Sequence, residues 1–199
     1  MRRCLALGLG MASLLQAQEI RLGGLLTFYH HQSLSPALRT WELRGSRMSE
    51  PGTPYLPHLV ALRESGFILR RCELYLSGRL TETVSWNVAM DPSFTGSPLS
   101  DAALMWSPGT DLSLRLGQMK PPQGYEGSVV PASQLLFYDR SAVARQFSDR
   151  WDRGAALTVS RPMGAWRAHL SLGGFNGSGR GADQNPQKDG VFRLEVTGP

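Results

Sequence analysis

The sequence predicts an all-β chain, folded as an antiparallel up-and-down β-barrel of the membrane-spanning kind. Three observations predict it. Segment after segment alternates apolar and polar residues with a period of two. The links between segments are alternately short and long, as in a barrel with tight turns at one end and long loops at the other. Arginines gather on the polar side of the segments and tryptophans on the apolar side. A soluble β-sandwich accounts for the first pattern equally well; the second and third favour the barrel.

The start of the chain reads as an address. Met1, Arg2 and Arg3 precede the apolar run "CLALGLGMASLL", and "LQA" ends at Ala17. A positive n-region, a short apolar h-region and a small residue before the cut make a signal peptide over residues 1–17, with the mature chain over 18–199. An apolar run of this length is too short to span a bilayer as a helix. Cys4 stands too early for lipidation, and the mature chain keeps Cys72 alone, so it holds no internal disulfide.

Eight strands follow. "EIRLGGLLTFY" sets Ile20, Leu22, Leu26 and Phe28 against Arg21, Thr27 and Tyr29. "FILRRCELYLSGRL" sets Cys72, Leu74, Leu76 and Leu80 against Arg71, Glu73, Tyr75, Ser77 and Arg79. Arg70 breaks that alternation, which reads either as a stem reaching to the interface or as a bulge. "TVSWNVAMD", "DAALMW" and "DLSLRLG" put Trp86, Trp106 and the leucines on one face and Asn87, Asp101 and Arg115 on the other. "RGAALTVS", "WRAHLSLG" and "FRLEVT" continue the pattern, with Trp166 on the apolar face and Arg167 and Arg193 on the polar one. Short turns join "SGRLTETVS", "WSPGTDLS" and "SRPMGAWR" through Gly, Pro and Thr. The links near 32–66, 92–100, 121–150 and 176–190 are long.

The net charge of +5 rests on arginine, since Lys120 and Lys188 are the only lysines. Guanidinium groups stay charged and suit phosphate or carboxylate oxygens, so small anions are the expected partners. No basic run with interleaved aromatics points to nucleic acid. No Cys/His cluster has metal spacing, and neither metal nor cofactor is expected. His30 and His31 are adjacent and point to opposite faces of a strand.

The middle of the chain resembles the phosphate-selective porin O and P family. The resemblance rests on "FILRRCELYLSGRL", "DAALMWSP", "LSLRLGQMKPPQGYEG", "FYDRSAVARQF", "DRGAALTVSRP" and "GGFNGSG", covering most of Phe67 to Gly179. Its most specific piece is "GQMKPPQGYEG" followed by "DRS". The resemblance implies a sixteen-stranded barrel in the bacterial outer membrane, a homotrimer that passes phosphate or polyphosphate. Sixteen strands take roughly 350 residues, and the chain has no terminal aromatic, so it reads as the N-terminal half of such a barrel. An independent eight-stranded barrel, its lumen filled by side chains, is the alternative.

On this reading Arg71, Arg79, Arg115, Arg167 and Arg193 line the pore, joined by Arg21. The acids Glu73, Asp91, Asp101, Asp152 and Glu195 share their face. The resemblance adds Asp101 and Lys120, with Arg71, as residues nearest the anion path. The resemblance also implies that the 121–150 segment folds into the lumen and places Arg140, Arg145 and Arg150, with Lys120, at a constriction; Asp139 or Ser141 can cap a short helix there. Trp86, Trp106 and Trp166 form an aromatic girdle in outer-membrane lipid. Two rival functions stand beside the porin. One is a periplasmic or secreted β-sandwich binding module. The other is an outer-membrane hydrolase built on His169, Ser171 and Asn176, whose His and Ser sit about 7 Å apart along one strand, too far for direct contact.

Overall fold

The computed structural model describes residues 19–31, 66–93, 97–137 and 139–199. The expected signal peptide and most of the first long link lie outside the described residues. Eight strands run in chain order: β1 (Arg21–His31), β2 (Gly66–Arg79), β3 (Val84–Met90), β4 (Leu99–Trp106), β5 (Leu112–Met119), β6 (Asp152–Met163), β7 (Trp166–Phe175) and β8 (Asp189–Thr197). They form one sheet in the order β1 to β8, each strand antiparallel to the next, with β1 and β8 at the edges. This is an all-β up-and-down meander.

Register carries the alternation of each strand across the whole sheet. Leu22 pairs with Leu76, Leu76 with Val88, and Val88 with Ala102. A second row runs Val84, Trp106, Leu114, Leu157, Leu172 and Phe192. One face is therefore a continuous hydrocarbon surface. Nothing among the described residues covers it: Leu22 is 76 % exposed, Leu26 63 % and Phe192 68 %. A sandwich would bury this face against a second sheet, at about 25 cal/mol gained per Å² removed from water. No second sheet is present among the described residues.

Buried apolar packing sits instead on the polar side, at the long-loop end. Phe175, Met119 and Val191 cluster there with Ala156. Glycines make the room: a Cβ on Gly154 or Gly173 would come within 2.6 Å of the Phe175 ring.

Arg70 and Arg71 resolve as a bulge. Pairing with β1 jumps from Thr27↔Arg71 to Phe28↔Leu69, leaving Arg70 as the extra residue. The inserted residue flips the parity of the strand, so Phe67 and Leu69 join the apolar face that Cys72, Leu74 and Leu76 continue. Both arginines are buried and both reach the same carboxylate, Asp139.

The tight turns 80–83, 107–111 and 164–165 gather at one end of the sheet. Trp86, Trp106 and Trp166 all lie on the apolar face at that end, Trp86 against Gly78 of β2 and Trp106 opposite Val84. At the other end Phe28 and Phe67 are among the exposed aromatics, the latter edge-on to His30 at 5.1 Å.

Candidate functional site

Between β5 and β6 the chain folds into short pieces: α1 (Tyr125–Ser128), a 3₁₀ turn (Ala132–Gln134) and α2 (Ala142–Phe147). Ser141 caps α2, its hydroxyl accepting from the Ala144 N–H at 3.1 Å. Glu126 of α1 ties down that cap, accepting from the Ser141 N–H at 2.7 Å and the Ser141 hydroxyl at 2.6 Å. Those two hydrogen bonds hold the Glu126 carboxyl below its ordinary range. Gly127 is needed where α1 passes α2, since a Cβ there would meet the Ser148 hydroxyl at 2.0 Å.

Ion pairs fasten this segment to the polar face of the sheet. Asp139 takes a forked contact from Arg70 at 2.8 and 2.9 Å, with Arg71 at 3.3 Å and Arg145 at 3.6 Å. Asp149 takes Lys120 and, at 3.2 Å, Arg140. The Arg140 guanidinium also donates to the carbonyls of Glu126 and Val130. Arg71 donates to Glu73 at 3.0 Å, and Arg115 to Asp101 at 2.9 Å. Six cations thus meet four carboxylates, an excess of two positive charges.

Burial acts against the charge of two of these groups. Desolvation pushes the Asp139 carboxyl up, but the Arg70 charge and its hydrogen bonds outweigh it, and Asp139 ends below the ordinary value of 3.8. Lys120 goes the other way. Desolvation dominates, with Arg140 and Arg71 adding repulsion that Asp149 only partly offsets, so its ammonium titrates below the ordinary 10.5.

The segment and the sheet enclose a cleft of about 340 Å³. Arg71, Asp101, Arg115, Lys120 and Arg140 line it together, so five of the residues singled out in the sequence converge. Arg145 pairs with Asp139 and lines, with Arg140, a separate cleft of about 650 Å³ within the segment, and Arg150 is exposed. The other arginines lie elsewhere on the polar face. Arg79 and Arg21 flank a smaller cleft of about 220 Å³ at the tight-turn end. Arg167 lies 3.9 Å from Asp111. Arg193 pairs with Glu195 and sits 5.9 Å from the Tyr125 ring. Asp152 is turned to loop support, accepting from the Gly177 N–H at 2.7 Å.

Sequence reasoning passed over three residues of the site. Asp139 was legible only as a helix cap, Asp149 carried no signal, and Trp151 sits alone in a loop. The nearest clue was spacing: an acid on each side of α2 in an arginine-rich segment. The hydrolase pair is also rearranged. Ser171 bonds Thr158 at 3.0 Å, while His169 Nδ1 lies 2.9 Å from the Ser160 hydroxyl on the neighbouring strand.

An antiparallel meander that is bare hydrocarbon on one face and charged on the other, with an internal segment packed on the charged face, is the wall of a channel-type β-barrel. The family model for phosphate-selective porin O and P matches residues 61–198, and the chain belongs to that family. It is therefore a member of a channel family rather than of an enzyme family. No curated protein and no solved structure matches it.

Proposed function

We propose that this chain forms part of an outer-membrane pore giving passive, anion-preferring diffusion to phosphate-like ions. The observation that carries this reading is the cleft under the 121–150 segment, where cations outnumber carboxylates by two. Each cation is held by an acid or a carbonyl. Pinned guanidinium groups offer an anion several weak sites in succession, which conduction needs, rather than one deep trap. The segment narrows the lumen, with Arg140 and Arg145 at the constriction and Arg71, Arg115 and Lys120 along the wall. Arg79, Arg167 and Arg193 extend the positive lining toward the tight-turn end and the β8 edge.

The remaining features follow the same reading. Residues 1–17 direct export, Trp86, Trp106 and Trp166 anchor the tight-turn end in lipid, and the complete barrel assembles as a trimer. Planar-bilayer recordings across a phosphate gradient test the proposal. The reversal potential should report anion preference; a cation-preferring current would overturn it. Recovery of the chain in the soluble periplasmic fraction would overturn the membrane assignment.

A further inference from the structure

We propose that Trp151 is a positioning residue for the anion path: its indole holds Lys120 in the cleft and ties that lysine to the loop between β7 and β8. The inference rests on the pore reading above.

Trp151 makes three directional contacts at once. The Lys120 ammonium lies 4.4 Å from the ring centroid. The Arg180 guanidinium, from the β7–β8 loop, lies 4.1 Å from it. The indole N–H donates to Asp101 at 3.0 Å, and the other oxygen of that carboxylate takes Arg115. An aromatic face attracts a desolvated cation through its quadrupole. Lys120 needs such help, because burial and its neighbours Arg140 and Arg71 act against its charge, with Asp149 and the Gly127 carbonyl the groups that favour it.

Arg180 links the same ring to the β3–β4 link. Its guanidinium donates to the Ser97 carbonyl at 2.9 Å, and its own carbonyl accepts from Arg153 at 2.8 Å. Arg153 in turn donates to Gln118 at 3.1 Å, and Gln118 donates to the Leu99 carbonyl at 2.8 Å. Three long links therefore meet at one indole. Trp151 performs two separable tasks there: its face serves Lys120 and its N–H serves Asp101.

The chain holds only two lysines, so reductive ¹³C-methylation gives a readout independent of transport. Methylation keeps the charge and labels Lys120, with Lys188 as an exposed internal control. In the wild-type chain the Lys120 methyl signal should lie upfield of the Lys188 signal through the ring current, and titrate below the ordinary lysine value of 10.5. Trp151→Leu should abolish the upfield shift and lower the Lys120 midpoint further. Trp151→Phe should keep both, and should weaken phosphate-over-chloride preference only through the lost N–H to Asp101. Arg180→Ala should shrink the upfield shift without abolishing it. A Lys120 signal that shows no ring-current shift in the wild-type chain, or one that Trp151→Leu leaves unchanged, overturns the proposal whatever the pore conducts. A cation-preferring wild-type current would sink the pore reading while leaving the methyl result standing.

Discussion

Two sets of charges on this sheet and its loops are treated differently. Over β2 to β5 the 121–150 segment covers the wall, and Arg70, Arg71 and Arg140 are buried among carboxylates. Toward the tight turns and in the β7–β8 loop the charges lack such cover: Arg161, Arg167 and Lys188 stay exposed, and their ion pairs are half in solvent. Exposed pairs are worth little, about 0–1 kcal/mol, whereas breaking a buried one costs several. The comparison teaches that charge by itself does not make the site. A loop that desolvates the charge does, because it fixes guanidinium positions and strengthens their field.

The largest break in that contrast should come from Asp139→Ala. It leaves Arg70, Arg71 and Arg145 without their shared carboxylate, at a cost of about 3–5 kcal/mol in urea unfolding from vesicles. Protease sensitivity across residues 121–150 should rise with it. Lys188→Ala, its counterpart on the uncovered side, should change stability by less than about 1 kcal/mol.

Acid sharpens the same point. Asp139 has a lowered folded pKa, so its contribution is present above 3.8 and is lost only as pH falls through the lower folded value. Docking of the segment, followed by proteolysis, should therefore survive at pH 3.8. Release at or above that pH would mean that Arg70 does not hold the carboxylate.

Selectivity should change next. Arg115→Ala should lower anion preference in bilayer recordings several-fold, and Leu116→Ala on the opposite face should leave it unchanged; equal effects would contradict the assignment of faces. Base tests Lys120. Its pKa is lowered, so anion preference should decline before the ordinary lysine value of 10.5 is reached, and Lys120→Arg should remove that decline. The smallest effect is expected from Arg167→Gln, an exposed change near the tight turns, with conductance within measurement error of wild type.

Much of this fold was legible because side-chain period and strand register are local properties. "DLSLRLG" states its two faces within seven residues, and β5 shows them. The cap at Ser141 was legible for the same reason. The site was half legible. Arg71, Asp101 and Arg115 follow from alternation, whereas Lys120 and Arg140 came from family resemblance. The Arg70 bulge left two readings open in the sequence, since only the β1 partner shows where the register jumps. Asp139 and Trp151 were out of reach: their partners lie 69 and 50 residues away, and a loop path encodes no period.

The central claim is that one face of this sheet meets water and the other meets acyl chains. Nitroxide labels at residues 102 to 106 of β4, in a Cys72→Ala background in lipid vesicles, test it most directly through collision with oxygen and with a water-soluble nickel chelate. Oxygen access should peak at 102, 104 and 106 and nickel access at 103 and 105, in antiphase. Collision rates that rise and fall together, or that peak in the reverse order, would contradict the account.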